Sequence, residues 1–314
     1  MASTSGTART FLVTGAGRGI GRGLSRILLQ TGHRVFLLDN NKTELDHTAG
    51  LLAKSYQRGR DFDTAVCDLR NPLEIKAAAE QADKLFSSKL DCLVNNAAYT
   101  GGVGGVSLAD MTLEEWNKSI ETNLTGPMLM TQACLGMLRT ARGCVIHMSS
   151  TRALMSEPNN EAYSATKAGL RGLSQSMAVS LARDGIRVST VLPGWIHVLN
   201  ECREADEQGG KWEEGLSEAD MGWQLTGRVG KVEDVAKAVV YLAENDGVTG
   251  VEMVVDGGVT RKMLLEEAYI KGDIQSNSHH TTPTCQVKYA PLSTITRPNW
   301  FRAPSIKTPP LMQG

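Results

Sequence analysis

Short, wholly apolar runs alternate along the chain with longer stretches in which apolar residues return every three or four positions. The short runs read as buried strands and the longer ones as helices. Strands are predicted at 10–14 (TFLVT), 34–39 (RVFLLD), 62–67, 91–94, 143–148 (GCVIHM), 186–192 and 251–255. Helices are predicted at 20–30, 42–58, 72–88, 112–123, 127–140, 160–182 and 232–244. Asn71 followed by Pro72 marks one helix start, an amide cap before a residue suited to the first helical position. Strictly alternating strands and helices imply parallel strands joined by right-handed crossovers. Strands without polar alternation fit a sheet covered on both faces. The pattern therefore predicts one α/β domain over residues 9–265, a three-layer, doubly wound parallel sheet. Residues 198–226 interrupt it as a polar insertion. Residues 1–8 are a flexible start, and 266–314 a mostly disordered extension, with six of the ten prolines between 271 and 314.

Composition narrows the function classes. Among 314 residues, 33 Lys and Arg balance 34 Asp and Glu, which argues against nucleic acid or an anionic membrane as partner. The longest apolar runs, such as 238–243, fall far short of the roughly 20 residues of a membrane span. Residues 1–9 lack the apolar core of a secretory signal. The six cysteines form no C-x-x-C pair and no zinc-type grouping with histidine, so no metal is expected. Free thiols fit a reducing, cytoplasmic setting.

The first strand runs into Thr14-Gly15-Ala16-Gly17-Arg18-Gly19-Ile20-Gly21 and then a helix. Strand, glycine turn and helix start make a cradle for a pyrophosphate: glycines let the backbone approach, and the helix offers unpaired N–H groups. Asp39 ends the second strand, 24 residues after Gly15. A carboxylate there can accept both hydroxyls of an adenosine ribose and would repel a 2′-phosphate, which favours NAD. Arg18 is the counter-signal, a guanidinium able to pair with that phosphate, so NADP stays open.

Further motifs join this one: Asn95-Asn96-Ala97-Ala98, Asn123, Ser150, Tyr163-x-x-x-Lys167, Pro193-Gly194, Gly227-Arg228-Val229-Gly230-Lys231-x-Glu233-Asp234 and Asp256-Gly257-Gly258. In this order and spacing the chain resembles the short-chain dehydrogenase/reductase family over residues 8–263. The resemblance implies a Rossmann fold and reversible oxidation of a secondary alcohol to a ketone with a nicotinamide cofactor. Tyr163 and Lys167 are four residues apart and share a helix face. An ammonium beside the phenol lowers a pKa that is about 10 in water, so Tyr163 can exchange a proton with a substrate oxygen. Ser150 would hydrogen-bond the same oxygen. By resemblance Lys167 also holds the nicotinamide ribose, and Asn123 supports a water in the proton relay. Asp68 and Leu69 would lie at the adenine, Asn95 and Ala97 beside the adenine ribose, and Pro193 and Ile196 at the carboxamide. Gly15, Gly19, Ile20 and Gly21 would cradle the phosphates. The chain departs from the family at Val198, where a threonine usually binds the carboxamide. His147 reads as a strand residue, not a base.

Thr151, Arg152, Met155 and Trp195 are the candidate substrate pocket, with the insertion as a lid carrying Trp212, Met221 and Trp223. Arg152 could bind an anionic or carbonyl group, or form a structural ion pair. Glu201, Glu204, Asp206, Glu213 and Glu214 read mostly as a solvated face. By resemblance the protein is a homodimer or homotetramer, with helices 127–140 and 160–182 as candidate interfaces. A catalytically silent dinucleotide sensor is the competing class. An intact Ser150, Tyr163 and Lys167 argue against it, since a sensor needs no proton donor. An epimerase or dehydratase usually carries a longer C-terminal substrate domain than this chain has.

Overall fold

The computed structural model describes residues 8–101, 103–104 and 106–262. Expectations for residues 1–7 and 263–314, the extension included, lie outside the described residues. Seven strands form one sheet: β1 Thr10–Thr14, β2 Arg34–Asp39, β3 Phe62–Val66, β4 Cys92–Asn95, β5 Cys144–Met148, β6 Arg187–Pro193 and β7 Glu252–Val255. Their order is β3-β2-β1-β4-β5-β6-β7, and every pairing is parallel. The helices are α1 Gly19–Gln30, α2 Lys42–Leu52, α3 Pro72–Phe86, α4 Leu113–Ile120, α5 Gly126–Ala141, α6 Glu161–Ser180, α7 Arg203–Gln208, α8 Glu218–Met221 and α9 Val232–Glu244. Chain contacts group residues up to Thr260 into one unit, five residues short of the expected boundary.

Successive strand residues point to opposite faces, so each strand feeds two cores. Phe11, Val13, Val35 and Leu37 pack on one side with Leu24 and Leu28 of α1 and Val235 and Val239 of α9. Leu12, Phe36 and Leu38 pack on the other with Ile75 and Ala78 of α3 and Met130 and Leu138 of α5. Both faces are covered, as the unbroken apolar strands require. The chain crosses from β3 back to the far side of β1 to place β4. That reversal opens a crevice at the carboxyl ends of β1 and β4, where ligands of such sheets bind.

Two helices differ from expectation. The helix predicted over 42–58 ends at Leu52. Beyond it the Asp61 carboxylate accepts the Gln57 N–H at 2.8 Å, and Gly59 has φ +79°, which turns the chain into β3. The helices predicted over 112–123 and 127–140 are one continuous run, joined by a π-helical turn at Glu121–Thr125. A π turn admits an extra residue and disturbs the regular carbonyl pairing, a feature frequent at functional sites. Asn123 lies within it. Smaller shifts place Cys67 just beyond β3 and bring Asn95 into β4.

Candidate active site

The turn between β1 and α1 is built by glycines for two separable reasons. Gly15 has φ +66° and Gly19 φ +62°, left-handed conformations that side chains strain. Gly21 is instead limited by space: a Cβ there would lie 2.1 Å from the Gly15 carbonyl oxygen and 2.6 Å from Asn96 Nδ2. Gly21→Ala is expected to destabilise the protein by about 1–3 kcal/mol in denaturant unfolding, because rigid backbone must move. The turn is braced from β4. Asn96 Nδ2 donates to the carbonyls of Thr14 and Gly15 at 2.9 and 3.2 Å, and Thr14 Oγ1 accepts the N–H groups of Asn96 and Ala97, each at 3.0 Å. The sequence signals neither brace, because amide direction depends on how β1 meets β4.

Asp39 stands at the end of β2, buried against this turn. Its Oδ2 accepts the Gly17 N–H at 2.9 Å and its Oδ1 the Asn41 N–H at 2.8 Å. Both oxygens are thereby fixed while retaining lone pairs for a hydroxyl donor. Arg18 is exposed at the N-cap of α1. The Asp68 carboxylate is tied to Arg70 at 2.6 Å, which holds it below the usual carboxylate range, and Leu69 is buried under Gly126.

Two asparagines are directed otherwise than expected. The Asn95 side chain points into the core, where Nδ2 reaches Thr131 Oγ1 at 3.2 Å and His147 Nδ1 at 3.3 Å. Only its backbone borders the crevice beside Ala97. Asn123 is fully buried, and its Oδ1 accepts the Tyr99 N–H at 2.6 Å. Its Nδ2 donates to the Tyr99 carbonyl at 3.0 Å and to Thr166 Oγ1 at 3.3 Å. The side chain thus ties down the segment after β4, leaving the main chain of the π turn as its route to any relay.

Ser150, Tyr163 and Lys167 converge beyond the carboxyl end of β5. Ser150 ends the extended segment, and its Oγ accepts the Arg152 N–H at 3.1 Å. Tyr163 and Lys167 occupy the first turns of α6, with Lys167 Nζ 5.4 Å from the centre of the Tyr163 ring. Burial raises the Tyr163 pKa; the nearby Ser150 hydroxyl and the Arg152 charge pull it back. Lys167 is buried, and desolvation lowers its pKa to about 7. Its Nζ donates to the Met148 carbonyl at 2.8 Å, while Ser149 Oγ donates to the Lys167 carbonyl at 2.7 Å. His147 lies in β5 and burial lowers its pKa to about 3, so it stays neutral near pH 7 and is a weak base.

Of the pocket candidates, Arg152 lies next to this cluster. Thr151 is buried, Met155 is exposed, and Arg152 is ion-paired with Glu157. Beside Tyr163 a small cavity is lined by Tyr99, Val103, Val106, Met111 and Ala162. Trp195 is partly buried, its carbonyl accepting Gln224 Nε2 at 2.9 Å, and its ring meets that of His197 edge-on. His197 also contacts Trp212, over which the Lys231 ammonium lies at 4.0 Å. Ile196 bridges to Gly230 and Pro193 ends β6. Glu201 corrects the reading of a solvated acidic face: it is buried and paired with Arg22 and Arg26. Among the described residues no His, Cys, Asp and Glu cluster could hold a metal, and no helix is long and apolar enough to cross a membrane.

Comparison with known proteins bears on family and fold. A family profile described as enoyl-(acyl carrier protein) reductase matches residues 15–260. An uncharacterized oxidoreductase of Thermotoga maritima is 35% identical over 262 residues, spanning 82% of this chain and 97% of that protein. The 3-oxoacyl-(acyl-carrier-protein) reductase of Bos taurus is 32% identical over 253 residues, spanning 80% and 98%. Among solved structures, an apo SCOR enzyme from Clostridium thermocellum aligns with a TM-score of 0.70 at 27% identity, over 88% of this chain and 100% of the other.

Proposed function

Because the chain belongs to the short-chain dehydrogenase/reductase family of oxidoreductases, we propose that it interconverts a secondary alcohol and a ketone with NAD, using Tyr163 as acid and base. The observation that carries this reading is the meeting of Ser150, just beyond β5, with Tyr163 and Lys167 of α6, the Lys167 Nζ lying 5.4 Å from the centre of the Tyr163 ring. Neighbouring hydroxyl groups suit a carbonyl oxygen, which can accept from both.

The residues around the glycine turn fit a dinucleotide. Gly15, Gly17, Gly19 and Gly21 present no Cβ of their own to a pyrophosphate, and the fixed Asp39 carboxylate can accept ribose hydroxyls. Nicotinamide, when bound, supplies or accepts the hydride. Ser150 would hold the substrate oxygen and stabilise its developing charge. Tyr163 would deliver the proton in reduction and remove it in oxidation. Lys167 would hold the nicotinamide ribose and favour the ionised phenol. The backbone at Pro193 and Ile196 would meet the carboxamide. Val198 has no hydroxyl to offer it.

One observation supports a neutral ketone: Glu157 already neutralises Arg152. The reductase relatives, one named for a 3-oxoacyl substrate, support carbonyl reduction. β7 ends the sheet, with Val251 and Tyr241 exposed beside it, which suits pairing with a second copy in a homo-oligomer.

Turnover of NADH and NADPH against a panel of ketones and secondary alcohols tests the assignment. Asp39→Ser is expected to strengthen NADPH binding about tenfold or more relative to NADH, by removing a negative charge from beside the 2′-phosphate. An unchanged ratio in fluorescence titrations would move the discrimination to Arg18.

A further inference from the structure

The segment that follows β6 makes contacts that the proposed chemistry does not use. Val198 lies against the glycine turn, its Cγ2 3.8 Å from where a Gly19 Cβ would be. Three residues on, the Glu201 carbonyl accepts the Gly19 N–H at 2.7 Å. Gly19 is the first residue of α1, so this N–H has no acceptor within the helix and is one of the donors that an anion at the helix start would use. The Glu201 carboxylate, 5% exposed as a residue, lies 2.6 Å from Arg26 Nη2 and 3.5 Å from Arg22 Nε.

Further along, α7 extends the attachment. Asp206 pairs with Arg22 of α1 at 2.6 Å and reaches His47 of α2 at 2.8 Å. The Arg203 N–H donates to Glu44 of α2 at 2.9 Å. Residues 198–208 therefore run from the end of β6 over the start of α1 to the first turns of α2, fastened by charged groups on both helices. Fastening is incomplete: Arg22 Nη1 is buried without a partner among the described residues. An unsatisfied buried donor lowers the cost of releasing the closed arrangement.

We infer that residues 198–208 form a strap that competes with the cofactor's pyrophosphate for the glycine turn, with Glu201 and Asp206 setting how readily it yields. This rests on the dinucleotide-binding reading above. A single N–H makes one good hydrogen bond, so the Glu201 carbonyl and a phosphate oxygen are alternatives at Gly19. The protein competent to bind is the fraction with the strap released, and apparent affinity falls by that fraction. Glu201 and Asp206 are accordingly positioning residues that act through the strap's location and not on the reacting atoms. Weakening the clasp should tighten cofactor binding, whereas a strap that only held bound cofactor in place would make the same change loosen it.

The experiment uses the full chain and three probes: ADP, which carries a pyrophosphate without nicotinamide, NADH and NADPH. Stopped-flow fluorescence for the dinucleotides and calorimetry for ADP would compare the parent protein with Glu201→Gln, Asp206→Asn and the control Asp184→Asn. The control removes an ion pair between Arg139 and Asp184, away from the strap. Glu201→Gln should raise association rates and tighten ADP by about three- to tenfold. Asp206→Asn should act in the same direction to a smaller extent, and Asp184→Asn should change neither quantity. Hydrogen exchange at the Gly19 amide should quicken in Glu201→Gln without ligand. If Glu201 proves indispensable for folding, the partly exposed Asp206 decides the question. Unchanged or weakened binding in the folded variants, with normal binding by the parent, overturns the strap alone. A parent protein that binds none of the three probes overturns the cofactor reading and the strap with it.

Discussion

Replacing Tyr163 with Phe is expected to lower kcat by about 10²–10⁴-fold while leaving cofactor affinity nearly unchanged. The substitution removes one oxygen and keeps the ring that packs at the start of α6, so the fold has little reason to respond. The lost group is the hydroxyl near Ser150, the proton carrier of the proposed reaction. The pH dependence follows from its two roles. Reduction needs the protonated phenol, and oxidation needs the phenolate. Burial raises the Tyr163 pKa, the nearby Ser150 hydroxyl and the Arg152 charge lower it, and a protonated Lys167 would favour the phenolate. Oxidation should therefore climb with pH to a plateau while reduction falls, both governed by the coupled Tyr163–Lys167 pair and not by either residue alone. Initial rates in the two directions across pH check this. Equal rates for Tyr163→Phe and the parent protein would remove Tyr163 from the chemistry.

Lys167→Met carries the second large effect, and it separates function from stability. Activity should fall by about 10²–10⁴-fold, since the phenol loses its neighbouring amine and, on the proposed reading, the nicotinamide ribose loses a donor. Stability should respond differently. Burial lowers the Lys167 pKa from 10.5 to about 7. Between those values the unfolded chain holds a proton that the folded one lacks, so stability rises with pH across this window. As pH falls from 10.5 towards 7 the contribution is lost, and below the folded pKa the loss is complete. Lys167→Met abolishes this slope, because neither state of the variant titrates there. It also leaves the Met148 carbonyl without its 2.8 Å donor, which offsets part of the gain. Urea midpoints for both proteins between pH 7 and 10 measure the effect. A parental midpoint that does not rise relative to the variant's would show that Lys167 is not desolvated as described.

The fold was legible because its strands are apolar on both faces, and only a sheet covered on both sides uses such strands. β1 and β2 run over the very residues that the apolar pattern marks. Places where the reading departs from the structure share a cause: the deciding contact lies far away in sequence. The helix over 42–58 could not be ended correctly from its own pattern, since no proline marks the stop and the Asp61 cap follows it. Nothing local announces the π turn around Asn123. The residue type pointed to a polar role, but the Tyr99 backbone that consumes its side chain arrives from another segment. Asn95 and Asn96 are adjacent and identical in type, yet strand alternation sends one into the core and the other to the glycine turn. Glu201 looked like one of several solvated acids. Its burial depends on Arg22 and Arg26, more than 170 positions earlier. By contrast, Tyr163 and Lys167 could be placed together from spacing alone, because one helix carries both.

The most direct test of the central claim follows the hydride itself. The purified protein would be incubated with nicotinamide cofactor deuterated at the transferring carbon and the ketones of the panel, and the alcohols examined by mass spectrometry. The account predicts deuterium on the carbinol carbon of at least one product, formed by the parent protein and nearly absent with Tyr163→Phe. Cofactor bound with normal affinity and no labelled alcohol from any ketone would contradict it.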